Sequence, residues 1–250
     1  RQAIEEMFDI NIECDKSTNT YYIADAEGML GDKLKMWLLN SFSLNNILQE
    51  HVDMKNRIVF EEAPSGLQYM DIAVEAMRAG NIVLMDYQAY NWDRPKHVLL
   101  EPYFLKQFRH RWYLIGINRE YKAFRAYSLD RVKQMVMGED TFTFPRKFVA
   151  DDYFEDCFGI IREENLFPQR TVLRVAAGQA PYLRNLPLHR SQKVIAMTNE
   201  YVDFELCLSH TYDFIQELLS KGATIEVLEP QSLRDRMEEE VMKMQKLYGL

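Results

Sequence analysis

Cysteine is scarce in this sequence, and its placement excludes the structures that cysteine most often builds. The three cysteines, Cys14, Cys157 and Cys207, are odd in number and lie far apart. They form neither a CxxC metal pair nor a disulfide framework. This usage is typical of a reducing compartment, so we expect a cytoplasmic protein.

Long apolar runs are also missing. The longest runs, such as residues 82–85, are far shorter than the roughly 20 residues that span a bilayer. No membrane segment is therefore predicted. The chain begins at Arg1 with neither an initiator methionine nor an apolar signal segment, and we expect it to be trimmed from a longer protein.

The short motifs that mark common enzyme sites are absent from the sequence. Its five histidines do not fall at HExxH or HxH spacing, and there is no GxSxG, phosphate-binding loop or GxGxxG. Cys157 stands between Asp156 and Phe158, where nothing would activate a thiolate. The sequence therefore predicts a protein that is not an enzyme, with no metal and no other cofactor.

Positive charge is in short supply overall but is concentrated in one region. The net charge is −8, which argues against a protein whose whole surface binds nucleic acid. Between Asp86 and Arg131, however, nine lysine and arginine residues stand against five acidic residues, a local net charge of +4. Either this region binds an anion, or it is an ordinary solvated sheet surface.

Hydrophobic periodicity divides the chain into segments. Residues 1–29 are predicted to be the end of a helix followed by a hairpin, and residues 30–66 a helical linker. Residues 67–142 begin with a helix closed by Gly80 and continue with five strand-like runs, which predict a small, strongly bent barrel. Pro102 interrupts the second run, so we expect a bulge or an edge position there.

The remainder of the chain follows a different order. After a connector over residues 143–165, residues 166–250 are predicted to run β-α-β-β-α-β, the ferredoxin-like order, and to end in a helix over 232–248. The predicted fold class is thus α+β, a small barrel followed by a ferredoxin-like domain.

The third strand of the barrel opens with cations, in the stretch RHRWYLIGIN over residues 109–118. Because strand side chains alternate between faces, Arg111 shares a face with Tyr113, and on the next strand Arg125 shares a face with Tyr127. The two pairs together would suit phosphate binding and base stacking. In the alternative interpretation, Trp112 and Tyr113 are core aromatics, and Arg111 and Arg125 pair with Asp130 and Glu101.

These residues also resemble a known family. Trp112-Tyr113-Leu114, followed by Arg125-Ala-Tyr127-Ser-Leu129-Asp130-Arg131-Val132, is similar to the paired signature of WYL-domain proteins. Pro102 and Lys106 stand where the family has its preceding proline and basic residue. Asp156-Cys157-Phe158-Gly159 resembles the family's (D/E)xFG connector.

The resemblance implies a bacterial-type transcription regulator with a winged helix-turn-helix, a WYL domain with an Sm-like barrel and a ferredoxin-like extension. Residues 1–29 would then be the last helix and wing of the DNA-binding domain, most of which is missing here. The expected partners are an anionic effector, such as a nucleotide or single-stranded DNA, operator DNA through the N-terminal domain, and a second copy in a homodimer. The implied effector-binding residues are Tyr87, Lys106, His110, Arg111, Tyr113, Arg125 and Arg131.

Two other functions remain open at this point. The chain could be a protein-interaction or dimerisation module whose barrel binds nothing small. In that case Arg125 and Arg131 serve folding or association only. It could also act on a phosphorylated metabolite, and His110 is then the obvious general acid or base.

Overall fold

The structure, a computed structural model, describes residues 66–249 without interruption and short parts of the N-terminal region, namely Glu5, 11–17, 20–24 and Arg57. The helix predicted before residue 10 and the helical linker predicted over 30–66 lie outside the described residues, except at single positions. The chain divides into two compact units, residues 1–62 and residues 63–250.

The described part of the first unit contains the predicted hairpin. Strands β1 (Ile12–Asp15) and β2 (Thr20–Ile23) pair antiparallel. The Ile12 amide donates a hydrogen bond to Glu5 Oε1 at 2.9 Å, which ties the hairpin to the residues before it.

The second unit begins with a helix whose end is determined by a glycine. A 3-10 turn (Leu67–Tyr69) leads into α1 (Met70–Ala79). Gly80 has a φ of 72°, and its amide donates to the carbonyl groups of Ala76 and Met77. Because this left-handed conformation strains any residue with a Cβ, Gly80 ends the helix as predicted.

A five-stranded antiparallel sheet follows α1. Its strands are β3 (Asn81–Tyr87), β4 (Lys96–Phe108), β5 (Arg111–Asn118), β6 (Ala123–Ser128) and β7 (Val132–Thr141). They lie in the order β6-β5-β4-β3-β7, and a 3-10 turn (Leu129–Arg131) joins β6 to β7. The five predicted strand-like runs are confirmed.

Both faces of β5 are buried. Leu114 belongs to a cluster that includes Ala73 and Ala76 of α1, here called the α1 cluster. Tyr113 and Ile115 belong to a separate cluster with Phe154, here called the connector cluster. The predicted alternation of side chains along β5 is correct, but neither face is left to solvent, and Tyr113 is a core residue.

The bulge expected at Pro102 is present. The pairing of β4 with β5 shifts register between Pro102 and Phe104. Gly116 lies opposite Pro102, and a Cβ at this position would stand 1.9 Å from the Glu101 carbonyl oxygen. Only glycine lets the two backbones approach so closely.

After the connector, which includes α2 (Ala150–Tyr153), the chain builds a second sheet. Its elements are β8 (Gln169–Ala176), α3 (Ala180–Asn185), β9 (Lys193–Met197), β10 (Tyr201–Leu208), α4 (Tyr212–Ser220) and β11 (Ile225–Glu229). The strands are antiparallel in the order β11-β8-β10-β9. The final helix, α5 (Gln231–Leu247), contributes Leu233 to the core of this sheet. The mixed α and β class predicted from the sequence is confirmed.

We predict that Gly116→Ala lowers the free energy of unfolding by about 1–3 kcal/mol, because the added methyl group must push β4 and β5 apart at the bulge. Equilibrium denaturation in urea measures this change. Gly178→Ala is the matched control, since a Cβ there meets nothing within 4 Å. Equal stability of the two variants would contradict the close approach at Gly116.

Candidate functional site

The seven residues expected to bind an effector do not form one site. Tyr87, Arg111 and Arg131 lie together where β3 ends, β5 begins and the 3-10 turn follows β6. Lys106 and Tyr113 face the connector, Arg125 lies on β6 at the sheet edge, and His110 lies in the β4–β5 turn.

Arg111 belongs to a network at the start of β5. Its Nη1 donates to Tyr90 Oη at 2.7 Å and to Asp130 Oδ2 at 2.9 Å. Only 5% of the Asp130 side chain is exposed, and its other carboxylate oxygen accepts a hydrogen bond from Ser128. Arg111 is therefore neutralised by Asp130, as the alternative interpretation of the sequence proposed.

Arg131 has no such neutralisation. Its guanidinium carbon lies 4.6 Å from the ring centroid of Tyr90 and 5.9 Å from that of Tyr87. Within the described residues no carboxylate pairs with it, and its buried Nε has no hydrogen-bonding partner there. Tyr90 is 75% exposed, so this cation and an aromatic face lie together at the surface. We call Tyr87, Tyr90, Arg111, Asp130 and Arg131 the arginine–tyrosine cluster.

Tyr87 supports this cluster from the core. Its ring makes edge contacts with Tyr127 at 4.9 Å and Trp92 at 6.0 Å between centroids. Burial raises the pKa of the Tyr87 hydroxyl, and the positive charge of Arg131 opposes that rise. Tyr87 is therefore a neutral, buried platform for Arg131.

The main chain holds the 3-10 turn in place from two sides. The Gln88 amide donates to the Arg131 carbonyl at 3.2 Å. A Cβ at Gly66, whose φ is 65°, would stand 2.2 Å from the Leu129 carbonyl carbon. The sequence does not reveal that Gly66 packs on the turn formed by Leu129, Asp130 and Arg131.

Family profiles match two consecutive regions of the chain. The WYL domain profile matches residues 68–137, and the WCX domain profile matches residues 168–245. The chain carries a WYL domain followed by a WCX domain. The arginine–tyrosine cluster lies entirely within the WYL domain.

Two solved structures are similar to the chain at low identity. Proteasome accessory factor B/C (PafBC) of Arthrobacter aurescens is 21% identical over 93% of this chain and 37% of that chain, with a TM-score of 0.38. A CRISPR Cas-related protein is 11% identical over 72% of this chain and 50% of that chain, with a TM-score of 0.42. The chain thus spans half or less of the length of either. No curated protein sequence matches it.

The register of the WYL sheet separates the two cation–aromatic pairs expected from the sequence. Tyr127 lies opposite Leu114 in the α1 cluster, whereas Tyr113 lies in the connector cluster. The Arg125 Nη1 donates to the Phe124 carbonyl at 2.9 Å, and Glu101 pairs with Arg119 instead. The two pairs therefore do not form one continuous surface, and the pairing of Arg125 with Glu101 is wrong.

His110 lies at the tip of the β4–β5 turn, where Arg109 and His110 both have positive φ, 48° and 63°. The His110 ring has no hydrogen-bonding partner among residues 66–249. Its neighbour Arg109 donates from Nη2 to Glu217 Oε2 of the WCX domain at 2.5 Å. Of these two turn residues, Arg109 makes the contact between domains.

Lys106 also reaches away from the arginine–tyrosine cluster. Its Nζ donates to the Gly159 carbonyl at 2.6 Å and lies 3.8 Å from the ring centroid of Phe154. Burial lowers the pKa of Lys106 to about 8, although Cys157 and Asp213 favour the charged form. Lys106 therefore attaches the WYL sheet to the connector.

The same connector turn is bound from the WCX domain, which sequence reasoning missed. Asp213 Oδ2 accepts hydrogen bonds from the amides of Ile160 and Ile161 at 2.9 and 3.0 Å. Gly159 has a φ of 84°, and a Cβ there would stand 2.4 Å from that same oxygen. The Asp156–Gly159 motif marked this turn, but nothing local pointed to Asp213, which is more than fifty residues further along the chain.

No helix in the described part of the chain is long and apolar enough to cross a membrane. In the same residues, no group of three or more histidine, cysteine, aspartate or glutamate side chains is placed to hold a metal ion.

We predict that Lys106 makes the stability of the protein rise with pH. Its folded-state pKa of about 8 lies below the ordinary 10.5, so the unfolded chain binds more protons between these values. The free energy of unfolding of wild type, measured relative to that of Lys106→Met, should therefore increase between about pH 7 and about pH 10. Chemical denaturation at each pH measures this gain.

The direct control is an NMR titration of ¹³C-labelled lysine side chains. One signal should titrate at about pH 8 and be missing from Lys106→Met. A stability difference between the two proteins that stays constant across this pH range would contradict the prediction.

Proposed function

We propose that this chain is the effector-sensing part of a bacterial-type transcription regulator, whose WYL domain binds an anionic effector such as a nucleotide or single-stranded DNA. Binding would change how a winged helix-turn-helix domain, of which residues 1–29 are the end, grips operator DNA. We further propose an Sm-like barrel over residues 67–142, a connector over 143–165 and a ferredoxin-like domain over 166–250. The strand orders of the two sheets support this division.

The observation that carries the effector proposal is the state of Arg131. A guanidinium group carries five N–H donors, and its planar fork suits phosphate oxygens. Within the described residues Arg131 has no carboxylate partner, whereas the neighbouring Arg111 is neutralised by Asp130. An incoming anion would therefore find one uncompensated cation here, at the end of the sheet.

The exposed ring of Tyr90 supports a nucleotide or single-stranded nucleic acid in particular. It lies beside the guanidinium of Arg131, and its hydroxyl is held by Arg111. A base stacking on this ring would place its phosphate within reach of Arg131. Stacking on an aromatic side chain is worth about 1–3 kcal/mol per base and tolerates any sequence.

We predict that Arg131→Gln weakens the binding of fluorescently labelled single-stranded DNA by about tenfold, because a charge-assisted contact is lost. Fluorescence anisotropy measures the Kd over a range of salt concentrations. The slope of log Kd against log salt concentration should decrease by the amount expected for the loss of about one phosphate contact.

Arg146→Gln is the matched control, since Arg146 is an exposed arginine of the connector, outside the cluster. It should leave both the affinity and the slope unchanged. If both variants lost the same affinity for DNA, the effect would reflect the total charge of the protein and not the position of Arg131. Absence of binding by folded wild type at low salt would refute a nucleic-acid effector.

The final helix favours a second candidate function, that of a dimerisation module. Leu233 and Met237 of α5 pack against the core of the WCX domain. Val241 and Met244 continue the same stripe at helical spacing but are largely exposed. A second copy of α5, packed antiparallel, would cover them and bring Lys243 and Lys246 near acidic residues of its partner.

We predict that Met244→Glu shifts the protein from dimer to monomer, because it places a charge on the exposed stripe. Light scattering after size-exclusion chromatography measures the molar mass. Met242→Glu is the matched control, since Met242 is exposed on the same helix but lies off the stripe. A monomeric wild type, or the same response from both variants, would rule out dimerisation through α5.

A further inference from the structure

A cavity of about 140 Å³ lies between the edge of the WYL sheet and the connector. Ile115, Phe124 and Phe154 form apolar walls, while Arg125 of β6 and Arg162 of the connector bring two guanidinium groups to it. We call this cavity the connector pocket. It is distinct from the arginine–tyrosine cluster, with which it shares no residue.

The two arginines of the connector pocket have similar surroundings. Each donates to a main-chain carbonyl, Arg125 to Phe124 at 2.9 Å and Arg162 to Tyr153 at 2.8 Å. Each lies beside a tyrosine ring, at 5.6 Å from Tyr121 for Arg125 and 4.6 Å from Tyr153 for Arg162. Among residues 66–249, no carboxylate pairs with either of them.

Several other arginines in the described part of the chain behave differently. Arg119, Arg170 and Arg174 each pair with at least one carboxylate. Carboxylates outnumber lysine and arginine residues overall, 38 to 30. Two guanidinium groups therefore line one pocket with no ion pair to either of them among residues 66–249, although Arg162 also lines a neighbouring pocket with Asp152, Asp156, Glu163 and Glu164.

The positive charges of both arginines affect the same tyrosine, Tyr153. Burial raises the pKa of the Tyr153 hydroxyl, whereas the positive charges of Arg162 and Arg125 both lower it. The two guanidinium groups line one pocket, so both can contact a single bound anion. The apolar side chains of Ile115, Phe124 and Phe154 would contact the rest of that ligand.

We propose that the connector pocket binds a small aromatic or branched-chain monocarboxylate. The carboxylate would accept hydrogen bonds from Arg125 and Arg162, in the geometry that guanidinium groups favour. Its apolar body would lie against Phe124 and Phe154. A cavity of about 150 Å³ accommodates benzene, so a pocket of about 140 Å³ suits a ligand body of that size.

The position of the pocket suggests what such a ligand would do. Ile160 and Ile161 line the pocket, and their amides are the ones held by Asp213 of the WCX domain. A ligand there would touch the WYL sheet and the bound connector turn together. This proposal is independent of the effector proposed for the arginine–tyrosine cluster.

The test is isothermal titration of the full chain with benzoate and with isovalerate, at millimolar concentrations and moderate salt. At least one acid should bind with one-to-one stoichiometry, and its neutral amide should not. Arg125→Gln and Arg162→Gln should each raise the Kd by about tenfold or more. Arg146→Gln, an exposed arginine outside the pocket, should leave the Kd unchanged.

A variant that fills the connector pocket tests the role of its shape separately from the role of its charge. Ala126 lines the pocket, so Ala126→Leu should abolish binding while both arginines remain. Thermal denaturation confirms that each variant is folded. The proposal would be overturned if wild type showed no saturable binding. It would also be overturned if the folded Arg125→Gln/Arg162→Gln double variant bound the acid as well as wild type does. Arg131→Gln should not affect acid binding, so this proposal and the effector proposal can fail separately.

Discussion

A short piece of main chain between the WYL and WCX domains has its polar groups bound from both sides. The Gly159 carbonyl accepts the ammonium of Lys106, and the next two amides donate to Asp213. Buried main-chain groups are costly to leave unpaired, about 1–3 kcal/mol each. The turn therefore cannot shift relative to either domain without losing hydrogen bonds to that domain.

The aromatic residues around this turn add packing to the hydrogen bonds. Phe158, directly before Gly159, makes ring contacts with Phe108 of the WYL sheet and Phe214 of the WCX helix α4. Arg109 and Glu217 pair across the same boundary. Any effector that shifts the end of β4 or the start of β5 would act on the WCX domain through these contacts.

Burial of both faces of β5 restricts where arginine side chains can lie in the five-stranded sheet. Tyr113 and Leu114 fill two different clusters, so β5 offers no polar face to arginine. Guanidinium groups are then confined to strand ends and edges, as Arg131 and Arg125 are. Arg131 and Arg125 therefore lie in two separate places, where the sequence predicted a single surface.

Local pattern was sufficient for the elements of the WYL and WCX domains. Alternating side chains identified the strands, Gly80 marked the end of α1, and Pro102 marked the bulge, because each acts through its own backbone or its immediate neighbours. The partners of the charged residues were not predictable in the same way. Asp130 pairs with Arg111, but Glu101 pairs with Arg119 rather than Arg125. Asp213 accepts hydrogen bonds from the amides of Ile160 and Ile161 of the connector. Those choices depend on strand register and domain packing, which bring distant residues together, so only the tertiary structure decided them.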